Sequence, residues 1–430
     1  MIIDHSTYVE GELASFTSDD IQPDQDGLEL LVTWYHPSNK RILSELPWRR
    51  SIVLISRLWY HLGIEFLYRS LSLRNKRDLT NVLGLFESEP RLARRVKRVI
   101  MEAFIYTGVV EIADCRRLVL LCPNAIMHQH SAAAVLRRTQ PLRAAEDPSP
   151  VESRLRYLSL MGNVDDRSID LTLRIHQYHP SFGQLRVLHI SQFDPTFYLG
   201  SPVFPVLHTL IVNSLMSPPV AQMLGGWEMP SLRNMAMVVN AESMLEPLLH
   251  KHAASLRLLF VSEWLEVVGH GQDLLAHVDL TATTMGIKAG MFQSLQTFIT
   301  TLVVPSGWTR LFLPFPNLQT YCVYLHGEDA FMPDDEAIEY AKRHLLDLED
   351  QGPTPALQRV HIRNWQCQMG GYLVEEWVPD WTQRFRDRGV LFECELLRGE
   401  LIDALVSETL FNPIGDAEGL IGGGKRGHRR

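Results

Sequence analysis

One pattern of apolar and polar positions recurs along the chain from Leu155 onward: apolar, two residues, apolar, one residue, apolar. "LRYLSL" fills the slots with Leu155, Leu158 and Leu160, "LRVLHI" with Leu185, Leu188 and Ile190, and "LHTLIV" with Leu207, Leu210 and Val212. "LRNMAM", "LRLLFV", "LAHVDL", "LQTFIT", "LQTYCV" and "LQRVHI" continue it from Leu232, Leu256, Leu275, Leu295, Leu318 and Leu357. Period-two alternation inside each hexamer predicts a short strand with one buried face. Several hexamers follow an aromatic or proline-containing lead-in, such as "VFPVL", "EMPSL" and "PFPNL". Proline there loses no ladder hydrogen bond, because the strand has not begun.

The hexamer starts step by 30, 22, 25, 24, 19, 20, 23 and 39 residues. Five of these steps fall within the roughly 20–29 residues of a leucine-rich repeat, so the spacing predicts an irregular array of such repeats. Each unit buries its face only against its neighbours, which stack into a parallel sheet. An ordinary α/β domain with unrelated strands is the competing reading. The longest step contains "MPDDEAIEYAKRHLLDLED", with Ile338, Ala341, Leu345 and Leu348 on one helical face. It reads as an inserted acidic helix, peripheral enough that a short linker could replace residues 328–350 at little cost.

Ahead of the array, "RDLTNVLGLF" predicts a helix with Leu79, Val82, Leu83 and Phe86 on one face, and "VKRVIM" a strand capping the sheet. Further upstream, Leu28, Leu31, Trp34 and Tyr35 fall at helical spacing, as do Ile52, Ile55 and Trp59. Two or three short helices thus precede the repeats. A unit this small gains from packing on the array or on a partner helix.

Composition narrows the class. The 430 residues are 46% hydrophobic and 21% charged, as expected of globular material. Five scattered cysteines without a C-x-x-C pair fit a reduced, intracellular chain. No basic and apolar leader opens the sequence, and no stretch reaches the ~18 apolar residues of a membrane span. The net charge of −9 hides a basic stretch, densest at "RLARRVKR". No aromatic platform is interleaved there, so a solvated helix face is expected rather than a nucleic-acid site. "GLIGGGKR" lacks the Ser/Thr that a phosphate loop needs for its metal. "HQH" and the His361/Cys367 pair lack companions at metal-ligand spacing. Catalysis, a metal and a cofactor are therefore not expected.

"SIVLISRLWYHLGIEFLYRSLSL" resembles the second half of an F-box, as in fungal F-box proteins with C-terminal leucine-rich repeats. The resemblance rests on Ser56-Arg57-Leu58-Trp59 and Leu67-Tyr68-Arg69-Ser70. The first half departs: where the family opens with Leu-Pro-x-Glu, this chain has "IQPDQDGLELLV". The resemblance implies a substrate receptor of an SCF-type ubiquitin ligase, its box docking on the adaptor subunit and through it cullin. It places Leu28, Leu31, Trp34, Ile52, Ile55 and Trp59 on the adaptor face. The other reading open here is a repeat scaffold whose box has decayed and binds no adaptor.

The expected organisation is α/β. It has an acidic N-terminus at 1–20, an F-box-like helical unit at 21–75, and a linking region at 76–150 with a polar loop near 138–153. A leucine-rich-repeat solenoid follows at 154–400, with the insertion near 328–350, then a C-terminal helix and basic tail at 401–430. On the strand face turned away from the core only Asp279, Arg359 and Arg363 carry formal charge. Ile211, Leu258, Phe260, Ile299 and Tyr324 on that face are candidate contacts for an unidentified protein substrate, since exposed apolar patches mark partner sites. The competing reading is that loops or the C-terminal segment cover it.

Overall fold

The computed structural model describes residues 68, 70–73, 76–101, 112–125, 127–131, 156–161, 183–191, 202–215, 218–239, 246–263, 290–301, 315–324, 334–350, 354–366 and 372–397. Within them the architecture is α/β, built on one sheet of twelve strands. The strands are β1 (Ser70–Leu73), β2 (Arg98–Met101), β3 (Met127–Ser131), β4 (Tyr157–Met161), β5 (Val187–Ser191), β6 (Thr209–Leu215), β7 (Asn234–Val239), β8 (Leu258–Glu263), β9 (Thr297–Thr301), β10 (Thr320–Tyr324), β11 (Arg359–Gln366) and β12 (Leu391–Leu397). Their spatial order is their chain order, and each neighbouring pair is parallel. The described helices are α1 (Lys76–Ser88), α2 (Pro90–Ala93), α3 (Ile112–Leu121), α4 (Pro218–Gly225), α5 (Glu246–His252), α6 (Asp334–Asp350) and α7 (Tyr372–Asp387).

A tight turn precedes many of the strands. The N–H of the hexamer's first leucine donates to the carbonyl three residues back: Leu207 to Phe204, Leu232 to Met229, Leu295 to Phe292 and Leu318 to Phe315. The next residue's carbonyl then accepts two N–H groups from the following unit. Arg156 accepts from Arg186 and Val187, His208 from Arg233 and Asn234, and Gln296 from Gln319 and Thr320. This is why the first leucine, the lead-in aromatic and the strand keep a constant spacing. The turn sends Phe204, Met229, Phe292 and Phe315 into the core while its backbone starts the ladder.

The core lies on the hexamer face named by the sequence pattern. Leu188, Ile190, Leu210, Val212, Met235, Met237, Leu259, Val261, Phe298, Tyr321, Val360 and Ile362 are at most 1% exposed. They share one cluster with Val220, Ala221 and Leu224 of α4, Leu248 and Leu249 of α5, and Trp377, Trp381 and Phe385 of α7. Aromatic rings run through it, Trp227 against Phe204 at 5.2 Å and Phe298 between Phe315 and Tyr321 at 5.6 and 5.9 Å. A second cluster joins Leu79, Leu83 and Phe86 of α1 to Val99 of β2 and Leu118 of α3.

Two expectations need correction. The hexamer starting at Leu275 supplies no strand between its neighbours, because β8 pairs directly with β9; its own residues lie outside those described. Helix α6 exists as expected but is not peripheral: Ile338 is 5% exposed, Ala341, Leu345 and Leu348 0%, all within the main cluster. His344, on the same helix and also fully buried, lies 3.1 Å through Nδ1 from the Tyr321 hydroxyl of β10. Of the acidic residues that suggested an insertion loose on the surface, Glu339 is exposed, but Asp347 is 3% exposed.

Helix α7 was not foreseen, and its stop is well defined. Val390 N–H donates to Phe385 O and Gly389 N–H to Arg386 O, both at 2.9 Å. That is the Schellman arrangement, with Gly389 at φ +74° in the left-handed region. Glu349 of α6 holds Arg384 of α7 in an ion pair, and that guanidinium lies 4.1 Å over the Trp381 ring. Gly389→Ala should lower stability by about 1 kcal/mol, measured by urea unfolding, since open space receives the methyl but the backbone disfavours it. An unchanged midpoint would count against this cap.

Among the described residues no helix is long and apolar enough to cross a membrane.

Candidate functional site

Parallel pairing sets the other side chains of each strand on a second face, in rows that cross the sheet. One row runs Ser159, His189, Ile211, Ala236, Phe260, Ile299, Cys322, His361 and Glu393, each residue directly opposite the next. Three of the five candidate partner residues, Ile211, Phe260 and Ile299, therefore stand in one line. Leu258 belongs to the adjacent row, opposite Asn234 and Thr297. Tyr324 lies one row further along β10, opposite Thr301 and Arg363.

The expected exposure of this face is not what the structure has. Ile211 is 6% exposed, Leu258 4%, Ile299 0% and the intervening Cys322 1%. Leu258, Ile299 and Cys322 form their own cluster, with half-buried Phe260 packed against it, separate from the core on the first face. Neighbouring strands lie ~4.8 Å apart, so aliphatic side chains in register touch along the row. Scarcity of charge here reflects burial. Parallel sheets are generally apolar on both faces, for the same reason. Phe260 is the member of the cluster that keeps partial access to solvent.

Polar groups bracket the apolar segment of the row. At one end His189 is 4% exposed, and burial pushes its imidazole from the ordinary 6.5 down to about 4, so it is neutral at physiological pH. At the other end His361 is also buried, with Nδ1 3.9 Å from Glu393 Oε2, and Arg359 Nε lies 3.5 Å from the same oxygen. The arrangement is a short apolar ridge ending in an Arg–carboxylate–His group. It offers contact area and polar recognition. Among the described residues no group of three or more His, Cys, Asp and Glu side chains could hold a metal ion.

The expected adaptor residues Leu28, Leu31, Trp34, Ile52, Ile55 and Trp59 lie outside the described residues. What the sequence reading missed is the continuity of the row through Ala236, Cys322 and His361. Its signal was the shared hexamer slot, the fourth residue after each first leucine. No protein-family model matches the chain, and no curated protein matches it either.

Proposed function

We propose that this chain is a non-catalytic, intracellular protein-interaction subunit: a leucine-rich-repeat array joined to an F-box-like unit, acting as the substrate receptor of an SCF-type ubiquitin ligase. The observation that carries the reading is the direct junction of the two parts. The F-box-like run ending at Leu67-Tyr68-Arg69-Ser70 leads straight into β1, the first of twelve parallel strands laid down in chain order. Short units that each add one strand to such a sheet are what leucine-rich repeats build. The recurring lead-in turn supports the same interpretation. In this reading residues 21–75 dock on the adaptor and through it cullin. The repeats hold a protein substrate, with Phe260 as the accessible contact and Ile211, Leu258, Ile299 and Tyr324 around it.

Intact chain should co-purify with recombinant adaptor at micromolar concentration. Trp59→Asp combined with Ile55→Asp should weaken that binding at least about tenfold, as loss of central apolar anchors does, with the thermal melt of the repeats unchanged. Intact, folded chain that ignores the adaptor would instead favour the scaffold with a decayed box.

A further inference from the structure

The residue just after each hexamer's first leucine has one backbone task, since its carbonyl receives two N–H groups from the next unit. Arg156, Arg186, His208, Arg233 and Arg257 perform it in five consecutive units and Gln296 and Gln319 in the next two, while the Gln358 carbonyl receives one, from Leu391. Glutamine does it with the same geometry: Gln319 N–H donates to Gln296 O at 2.8 Å, as Arg186 N–H does to Arg156 O. Nothing in the architecture therefore requires arginine at this position.

The positions form a continuous rim beside the start of the strands. Arg186 N–H lies 2.8 Å from Arg156 O and Arg257 N–H 2.7 Å from Arg233 O, which makes two pairs of arginines on adjacent rungs. His208 joins the pairs, bonded to Arg186 O and through its own carbonyl to Arg233. Rungs ~4.8 Å apart put the four arginines within ~19 Å. Arg156 and Arg257 are exposed, Arg186 and Arg233 half-buried. Among the described residues Arg156, Arg233 and Arg257 have no carboxylate in ion-pair range. Like charges directly opposite one another on neighbouring strands are destabilising. In a chain whose net charge is −9, a row of cations whose backbone task glutamine performs equally, with no carboxylate among the described residues beside Arg156, Arg233 or Arg257, is a surface complementary to an acidic ligand.

We infer that the rim formed by Arg156, Arg186, Arg233 and Arg257 binds an acidic segment of a partner protein, laid across the strands. An extended segment advances ~3.3 Å per residue, so about six residues span the row. Planar guanidinium groups accept carboxylates two bonds at a time, which favours Asp- and Glu-rich sequence. Single-stranded nucleic acid is disfavoured, because its binders need aromatic stacking platforms, and Tyr157, adjoining the first rung, is fully buried. The rim is distinct from the second-face ridge, and its binding requires no adaptor.

The probe is a fluorophore-labelled octapeptide of alternating Asp and Glu, titrated with the intact chain and followed by fluorescence anisotropy. Binding should weaken about tenfold between low and half-molar salt, as screening shortens the reach of exposed charges. Arg156→Gln, Arg186→Gln, Arg233→Gln and Arg257→Gln together should lower affinity at least about tenfold without lowering the melting temperature, since glutamine already fills this slot elsewhere and like charges are removed. The pair Gln296→Arg and Gln319→Arg should extend the rim and tighten binding. Changing exposed Arg91 and Arg94 to Gln should leave it unaltered. No binding by the intact chain, or equal binding by the four-fold variant, overturns the inference. So does tighter binding of an eight-nucleotide thymidine strand than of the peptide. Should the four-fold variant not fold, the Gln→Arg pair decides, and unchanged affinity there also overturns it.

Discussion

Replacing helix α6 by a short Gly/Ser linker should abolish the cooperative unfolding transition of the sheet around β10 and β11. Ile338, Leu345 and Leu348 lie in one cluster with Tyr321 and Val323 of β10 and Val360 and Ile362 of β11. Truncating a single buried Leu or Ile costs about 2–5 kcal/mol, and whole domains are stable by only about 5–15 kcal/mol. Losing all three, with the apolar surfaces of two strands then facing water, approaches or exceeds that total. The loop closure gained or lost is small beside it, about 0.6 kcal/mol per doubling of length. Urea unfolding followed by tryptophan fluorescence and circular dichroism measures the effect. A linker variant that melts as sharply as the parent would return α6 to the periphery.

Acidification should destabilise the fold between pH 6.5 and about 4, through His189 and His252. Burial is the main cause of both depressions, each from 6.5 to about 4. For His252 the adjacent Lys251 charge adds to it, against a hydrogen bond to the Trp227 backbone carbonyl and the Glu228 charge. In this window the unfolded chain binds a proton at each site and the folded chain does not, so stability rises with pH. The contribution is complete above pH 6.5 and lost progressively as pH falls to about 4. At about 1.4 kcal/mol per pKa unit, each histidine accounts for about 3 kcal/mol across the window. Urea midpoints at pH 7 and pH 4.5 should differ accordingly, and His189→Gln should flatten the dependence. A variant as acid-sensitive as the parent would show that His189 is not kept neutral by the fold.

The strands of the array were legible because one slot pattern, Leu-x-x-Leu-x-Leu, carries both the lead-in turn and the buried face. That coupling makes the reading robust at Leu207, Leu232, Leu295 and Leu318. It failed at Leu275, where the same letters recur but β8 and β9 already pair with each other, since a six-residue apolar pattern holds no information about its neighbours. The second face was misjudged at Leu258 and Ile299, which are buried. Alternation predicts which side a residue takes, not whether that side meets water. Helix α7 went unread because Pro379 falls inside it. Proline usually marks a break, yet Trp377 and Phe385 hold the helix against Phe392 of β12, with Trp381 packed on Phe385. The partner residues were only half legible: shared slots put Ile211, Phe260 and Ile299 in one row, but nothing in those letters encodes access.

Strand order equal to chain order has a consequence for synthesis. From β4 to β11 every strand's bonded neighbours are the segments made just before and just after it, never a distant one. A nascent chain can therefore add strands one at a time as they leave the ribosome, with no long-range pairing to wait for. Each addition closes a loop of only a few tens of residues, the situation that favours fast folding. A premature stop within the array would accordingly leave not an unfolded remnant but a shorter stack, its last strand offering an open edge to whatever backbone it meets.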